Sequence, residues 1–218
     1  SSTGQITRFN KVLKPNDYVI KLSSGYAQLV ALTHQGFAYF HGYGSHGEGA
    51  MNLSPNKPTL VTWFSDSNIL LKDISCGIFH TMWLTRDNQL YISGRNHEGE
   101  LGVDYPDSST KTPQLVVIDR PIYTIRAGST SSFIFTEDNH IYFCGAFCYL
   151  SNVPKDVHKK MTDLLQLVQT QHPNQPEQEE FAALYNNRNL AIDCAVGSSH
   201  HFIVFRHKAT PYKHLYQA

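Results

Sequence analysis

The sequence predicts an all-β chain: a β-propeller of about four blades in a partial or incomplete ring, with a helical insertion. Three observations predict this fold. A glycine recurs about every 50 residues, strand-like segments flank each of these glycines, and one later segment has a helical pattern of apolar residues. Four short antiparallel strands repeated at this spacing are typical of propeller blades.

The repeats align on one glycine per unit, at intervals of 52, 51 and 69 residues: Gly25, Gly77, Gly128 and Gly197. In the first three units a second glycine follows 17 residues later, at Gly42, Gly94 and Gly145. A threonine and a tyrosine also recur at fixed offsets, as Thr33, Thr85 and Thr136 and as Tyr39, Tyr91 and Tyr142. These shared offsets indicate a common structure for the units.

Each unit begins with a strand that enters its glycine, at 18–22, 71–75, 123–127 and 191–196. The glycine suits a close backbone approach or a bulge, where a side chain would not fit. Second strands follow at 29–32, 81–84 and 133–135, and third strands at 37–41, 90–93 and 140–144. Gly36, Asn88 or Asn139 closes the turn between them because these residues tolerate positive φ. An outer fourth strand is predicted at 58–63 and 113–118, where proline is tolerated.

The segment between the third and fourth units predicts helices. Residues 154–169 carry an apolar stripe at helical spacing, formed by Val157, Met161, Leu164, Leu165 and Val168. Pro173 and Pro176 end this helix, and 177–185 predict a short second one. Such an insertion either packs against the blades or forms a partner-binding element.

The predicted organisation is one propeller-type domain over 1–218. Its repeats lie at about 18–68, 69–120, 121–148 and 190–218, with the helical insertion at 149–189. A chain of 218 residues is long enough to bury a sizeable core without disulfides or metals.

Composition excludes several function classes. Lys+Arg and Asp+Glu both number 18, so the chain lacks the net positive charge typical of nucleic-acid binding, and direct binding to nucleic acid is not expected. No apolar run is long enough to span a membrane. Four irregularly spaced cysteines do not suggest a disulfide framework, so we expect an intracellular location, cytoplasmic or nuclear.

The second unit carries the clearest motif. After Gly77 come His80-Thr81, a Thr85-x-Asp87-Asn88 turn, Gly94, Asn96 and Gly99-Glu100-Leu101-Gly102. This stretch, 74–102, resembles a repeat of the regulator of chromosome condensation family, whose pattern ends in Gly-Gln-Leu-Gly. The first unit has Gln28 at the histidine position, and the third loses the end of the motif. The resemblance covers about 18–147 and 190–205.

The resemblance implies a ring of seven blades, which at this repeat length would need about 357 residues. The chain supplies about four repeats. Three interpretations follow: a fragment of a longer protein, a half-propeller that pairs with itself or a partner, or a four-bladed closure in which 5–13 complete the last blade. We favour an incomplete ring that closes by association or belongs to a longer chain.

Side chains with catalytic or metal-binding chemistry are present but have simpler explanations. Cys144 and Cys148, near His140 and His158, are the residue types of a zinc site, but their spacing is wrong and Cys144 lies in a predicted strand. Cys76 and Cys194 lie in strands that enter the repeat glycines, so we expect buried thiols.

His80, His200 and His201 fall at the histidine position of the family, where we expect hydrogen bonds to backbone between blades. The glycine-rich loop 42–49 precedes neither Lys-Ser/Thr nor a helix, so phosphate binding is not expected. No catalytic, cofactor-binding or metal-binding residue is assigned, and no cofactor is expected.

The leading functional hypothesis is therefore a non-enzymatic protein–protein interaction module. The alternative, implied by the resemblance, is a guanine-nucleotide exchange factor for a Ran-type small GTPase. A hydrolase or metalloenzyme is the weakest hypothesis. Expected partners are another protein, such as a small GTPase, or a second copy that completes the ring.

Overall fold

The computed structural model describes residues 12–42, 57–104, 107–146, 160–164, 166, 191–196 and 201–206, the last two segments in backbone only. Among these residues the strands form three four-stranded antiparallel sheets and one hairpin. In each sheet the strands that follow one another in sequence are hydrogen-bonded neighbours. These sheets are the predicted blades.

The strands and one short helix follow in chain order. Blade 1 contains β1 (Val19–Ser24), β2 (Gln28–Thr33), β3 (Ala38–Gly42) and β4 (Thr59–Leu60), followed by α1 (Thr62–Asp66). Blade 2 contains β5 (Leu71–Cys76), β6 (His80–Thr85), β7 (Leu90–Arg95) and β8 (Ser109–Val116). Blade 3 contains β9 (Ile122–Ala127), β10 (Ser131–Thr136), β11 (Ile141–Gly145) and β12 (Thr162–Asp163). The hairpin consists of β13 (Ala191–Val196) and β14 (His201–Arg206).

The first strand of each unit lies innermost. β1 contacts β5, β5 contacts β9, and β9 contacts β13. Because these first strands are neighbours while the later strands diverge, the blades radiate from a common axis, as in a propeller.

The hydrophobic core lies between blades. Val30, Leu32 and Phe40 of blade 1 pack in one cluster with Ile74 and Trp83 of blade 2. A second cluster repeats this junction between blades 2 and 3; it includes Met82, Leu84, Ile92, Ile122, Ile125 and Ile134. Blade 2 therefore buries two apolar faces, one against blade 1 and one against blade 3.

The predicted turns between second and third strands are confirmed. Gly36, Asn88 and Asn139 have φ values of 93°, 70° and 66°. These are the positions where glycine and asparagine are favoured because other side chains are strained there.

The fourth strands differ from the prediction. In blade 1 only Thr59–Leu60 is a strand, and Trp63 lies in helix α1 instead. Phe64 of this helix is buried in the first core cluster, so packing at the junction favours a helical turn over a longer edge strand. In blade 2 the strand begins earlier than predicted, at Ser109.

The helix predicted at 154–169 is wrong at Thr162–Asp163. These residues form β12 and pair with Tyr142 and Phe143 of β11. Pairing with the free edge of β11 overrides the helical pattern, and helical structure is described only at Leu164 and Gln166. The rest of the predicted insertion, including 177–185, lies outside the described residues. Blade 3 thus extends into the segment assigned to the insertion.

Helix α1 is far too short to cross a membrane, and no helix within the described residues is long and apolar enough to do so.

Candidate interaction surface

The connections β1–β2, β5–β6 and β9–β10 lie at the same end of their blades and form one flat face. Tyr26 donates its backbone N–H to Ile78 O at 3.3 Å, and Ile78 donates its own to Ser129 O at 3.0 Å. These three residues each follow the repeat glycine of their unit. The same hydrogen bond therefore recurs at successive junctions and fixes the backbone of the flat face.

The repeat glycine permits this close approach. A Cβ placed on Gly77 would lie 2.5 Å from Gly128 O of the next blade, and one on Gly25 would overlap Gly77 O. The predicted close backbone approach is confirmed, and the backbone it approaches is the equivalent glycine of the next blade.

Three side chains form a patch across the first junction on this face. Tyr26 is 79% exposed although its backbone is fixed to blade 2. Its ring centroid lies 5.9 Å from that of Phe79, and Arg95 Cζ lies 5.6 Å from the Phe79 ring. We call Tyr26, Phe79 and Arg95 the Tyr26 patch. Tyr26 is the exposed member of the patch, whereas Arg95 is partly buried, with its Nε 3.7 Å from Glu100 Oε1. An exposed tyrosine on a rigid backbone, with an arginine beside it, is typical of protein–protein contact points.

His80 joins blades 2 and 3. Its Nε2 lies 3.0 Å from Ser132 Oγ, and that hydroxyl donates to Glu100 O at 2.7 Å. The hydroxyl proton is thus committed to the carbonyl, so Nε2 carries the imidazole proton and donates to Oγ. Burial lowers the pKa of His80 to about 4, an effect that the Ser131 backbone partly offsets. The expected link between blades is confirmed, although its partner is a side-chain hydroxyl.

The loop with the Gly-x-Leu-Gly motif is part of this link. Glu100 O also accepts from the Cys144 thiol at 3.2 Å, and Gly102 O accepts from Met161 N–H at 3.2 Å. The loop of blade 2 is therefore fastened to both β10 and β11 of blade 3 and to the residue before β12. This packing explains the position of the motif after the third strand.

The cysteines with described side chains are buried thiols, as expected. Burial raises the pKa of Cys76 to about 11 and raises that of Cys144 further. A thiol that resists ionisation is a poor nucleophile and a poor metal ligand. Cys194 lies in β13, which is described in backbone only.

The two described members of the suggested zinc site are not brought together. His140 Nδ1 lies 2.7 Å from Asp163 Oδ2, whereas Cys144 contacts Glu100 O. Within the described ranges, no group of three or more His, Cys, Asp or Glu side chains could hold a metal ion. Cys148 and His158 lie outside the described residues.

Two other predicted features also lie outside that part of the chain, namely His200 and loop residues 43–49. His201 begins β14. The flat face and the Tyr26 patch were missed by the sequence argument. The available signal was a tyrosine at the position where Ile78 and Ser129 stand in the other units.

A shallow cavity of about 640 Å³ lies beside β11 and β12. Arg120 in its wall pairs with Asp138 and donates to Tyr142 Oη at 3.1 Å. His140 is held by Asp163. The contact between His140 and Asp163 ties β12 to the blade, so Arg120, His140, Tyr142 and Asp163 all have structural partners here.

Each inner strand also exposes one residue at a β-bulge. The pairing register skips one residue in each of β1, β5 and β9: Ile20, Lys72 and Tyr123. Ile20 is 53% and Tyr123 63% exposed. A β-bulge redirects the side chain of the extra residue. Ile20 and Tyr123 are exposed, whereas Lys72 Nζ donates to Ile122 O of blade 3 at 3.3 Å.

Glu100 lies in the loop between blades 2 and 3, and its buried carboxylate affects the free energy of unfolding. Its carboxylate is buried, and burial raises its pKa, although the Glu98 N–H and Arg95 partly oppose this. We expect Glu100→Gln to raise the free energy of unfolding at pH 8 by about 1 kcal/mol, because the amide still accepts from Glu98 N–H without a buried charge.

The raised pKa means that folded Glu100 holds its proton in a pH range where the unfolded chain has lost it. Stability therefore falls as pH rises through this range, and the advantage of Glu100→Gln should disappear near pH 4. Urea unfolding at both pH values measures this. Glu98→Gln, at an exposed neighbour, is the control; equal effects of the two substitutions would contradict the prediction.

Comparison with known proteins agrees with this architecture. The family model for the regulator of chromosome condensation (RCC1) repeat matches residues 71–100, within blade 2. A relative in sequence is the serine/threonine-protein kinase Nek9 of Xenopus laevis, 32% identical over 58% of this chain. The chain spans only 14% of that kinase.

Solved structures share the fold. Yeast RCC1 (Prp20) bound to Kap60 superposes with a TM-score of 0.63 at 21% identity, over 88% of this chain and 42% of that one. Prp20p from Saccharomyces cerevisiae, described together with its binding to Gsp1p and histones, superposes with a TM-score of 0.56 at 24% identity, over 70% and 40% of the two chains. The chain thus spans less than half of these propellers.

The repeat glycines, the blade-to-blade hydrogen bonds and these matches lead to one conclusion. The chain is a regulator of chromosome condensation-like repeat protein, and it folds these repeats as β-propeller blades.

Proposed function

We propose that this chain is a non-enzymatic protein-interaction module and that a partner protein binds at the Tyr26 patch. The observation that carries the proposal is Tyr26 itself, 79% exposed on a backbone that is hydrogen-bonded to the next blade. A side chain presented on a fixed backbone loses little conformational freedom on binding, so more of its contact energy appears as affinity. The neighbouring Phe79 and Arg95 extend the surface across the junction.

The test compares Tyr26→Ala with Tyr123→Ala, which removes an equally large exposed side chain from the bulge of β9. Each tagged variant is purified from cells, and co-purifying proteins are quantified against the native chain. We expect the co-purified amount of at least one specific partner to fall about tenfold with Tyr26→Ala, which corresponds to a loss of about 1.4 kcal/mol in binding free energy. With Tyr123→Ala the amount of this partner should not change. Equal retention by both variants would contradict the proposed surface.

A second candidate is nucleotide exchange on a Ran-type small GTPase. The described binding of Prp20p to Gsp1p supports it, since the two chains share a fold. An exchange factor acts by stabilising the nucleotide-free GTPase, which requires an extended complementary surface. Release of a fluorescent nucleotide from a panel of small GTPases tests this candidate. Acceleration well above the intrinsic rate would favour it over the non-enzymatic module.

We further propose that association completes the partial ring, and that the protein acts inside the cell. The described strands form three complete blades and a hairpin, which leaves blade surfaces for a further unit to cover. The buried free thiols of Cys76 and Cys144 fit a reducing compartment.

A further inference from the structure

One register position distinguishes blade 1 from the other blades. The residue three positions before the repeat glycine is Leu22 in β1, Ile74 in β5 and Ile125 in β9. Ile74 and Ile125 are 0% exposed, whereas Leu22 is 57% exposed. The three residues have the same character and the same place in the blade, so the difference comes from what covers them.

The preceding blade covers Ile74 and Ile125. Ile74 packs in one cluster with Val30, Leu32 and Phe40 of blade 1. Ile125 packs with the equivalent residues of blade 2, Met82, Leu84 and Ile92. By the same geometry, Leu22 would be covered by the second and third strands of another blade with apolar residues at these offsets.

The fourth unit of this sequence has apolar residues at the second-strand offsets. Phe202 and Val204 of β14 stand five and seven residues after Gly197, the register positions of Met82 and Leu84 in blade 2. β14 pairs with β13, which lies against β9 at the other end of the arc. The strands that β1 contacts extensively are β2 and β5. One end of the described row of blades thus has an uncovered first strand, and the other end has a second strand with apolar residues at the required sequence positions.

Two copies of this chain would supply about eight repeats, close to the seven blades that the resemblance implies, so a second copy is the occupant that fits the ring size. This chain spans 42% of the yeast RCC1 chain. Two copies would therefore span twice that share, about 84%. Two arcs related by a two-fold axis would form two identical junctions. Such an arrangement closes on itself and leaves neither end uncovered.

We propose that a second copy of this chain covers β1, with the fourth unit of each copy packed on blade 1 of the other. This proposal rests on the completion of the ring by association proposed above. It does not depend on the Tyr26 patch, which lies on the flat face and not between blades.

Ile20 provides a matched control on the same strand. It is 53% exposed, nearly as much as Leu22, but its equivalent Tyr123 is 63% exposed although blade 2 covers β9. The exposure at this position therefore results from the bulge in the inner strand and not from the absence of a covering blade. Register-specific docking predicts a large effect at Leu22 and none at Ile20, whereas nonspecific association through exposed apolar side chains predicts similar effects.

The experiment is absolute mass by light scattering on the purified chain alone, over about a hundredfold range of concentration. We expect the native chain and Leu22→Ile to have twice the 24.6 kDa chain mass, and Leu22→Asp to have the mass of one chain with unchanged circular dichroism. Ile20→Asp should remain at twice that mass.

A native chain that stays monomeric at every concentration would overturn the proposal, as expected if the arc closes on itself or binds other blades. Equal dissociation by Leu22→Asp and Ile20→Asp, or by neither, would also overturn it. Since no other protein is present, this result is independent of whether the Tyr26 patch binds a partner.

Discussion

Replacing Gly77 by alanine is expected to lower the free energy of unfolding by about 3 kcal/mol. The new Cβ would overlap the His80 ring and would lie 2.5 Å from Gly128 O. The ring could rotate, but the carbonyl belongs to the backbone of the next blade. Relief therefore requires blades 2 and 3 to separate at their inner strands, which weakens the hydrogen bonds and the apolar cluster of that junction.

Urea unfolding at pH 7 measures the effect of Gly77→Ala as a shift in midpoint. Lys111→Ala is the control, because Lys111 is exposed on β8 and the substitution does not change a junction. A loss below about 0.5 kcal/mol, the usual range for surface substitutions, would show that the blades do not approach as closely as the structure indicates.

Acid is expected to weaken the link between blades 2 and 3 through His80. The folded pKa is about 4 and the ordinary value is 6.5, so between these values the unfolded chain binds a proton that the folded chain excludes. Stability from His80 is therefore complete above pH 6.5 and is lost as pH falls toward 4. The difference corresponds to about 3 kcal/mol.

His80→Gln isolates this effect from other titrating groups. Gln28 stands at the equivalent position in blade 1, where its amide donates to His80 O at 3.2 Å, so glutamine is compatible with this site. We expect the stability of the native chain relative to His80→Gln to fall by about 3 kcal/mol between pH 7 and pH 4. A constant difference across this range would mean that His80 is not held neutral at the junction. Glu100 titrates in both proteins, so its opposite dependence cancels in the comparison.

Most of the blade structure could be predicted from sequence because it depends on local signals. Strand order follows from the repeat spacing, and the turns follow from the need for positive φ at Gly36, Asn88 and Asn139. A close backbone approach at Gly77 was also predictable, because a glycine that recurs at one register position indicates a site where a side chain would not fit. Local sequence did not show that its neighbour would be Gly128 O.

The features that the sequence argument missed depend on contacts between distant segments. Thr162–Asp163 has a helical apolar pattern around it, but the free edge of β11 pairs with it as a strand. The partners of His80, Ser132 Oγ and through it Glu100 O, come from two separate segments. Exposure of Tyr26 depends on how blade 2 is placed beside blade 1. No local pattern reports these placements.

The exposure of β1 also depends on contacts between distant segments of the chain, so it too was not predictable from local sequence. Tyr18, just before β1, and Ile20 and Leu22 within it alternate as in an ordinary buried strand in the sequence. Only comparison with Ile74 and Ile125 in place shows that Leu22 lacks the cover that its equivalents have. Repeats allow this comparison because each blade serves as a reference for the others.

The most direct test of protein binding at the Tyr26 patch is photo-cross-linking from position 26 in cells. A photoreactive phenylalanine is placed at Tyr26 in one variant and at Tyr123 in another, and cross-linked proteins are identified by mass spectrometry. Binding at the flat face predicts a discrete cross-linked partner protein from position 26 and no cross-link to that protein from position 123. The same partner captured from position 123 but not from position 26 would contradict binding at the flat face.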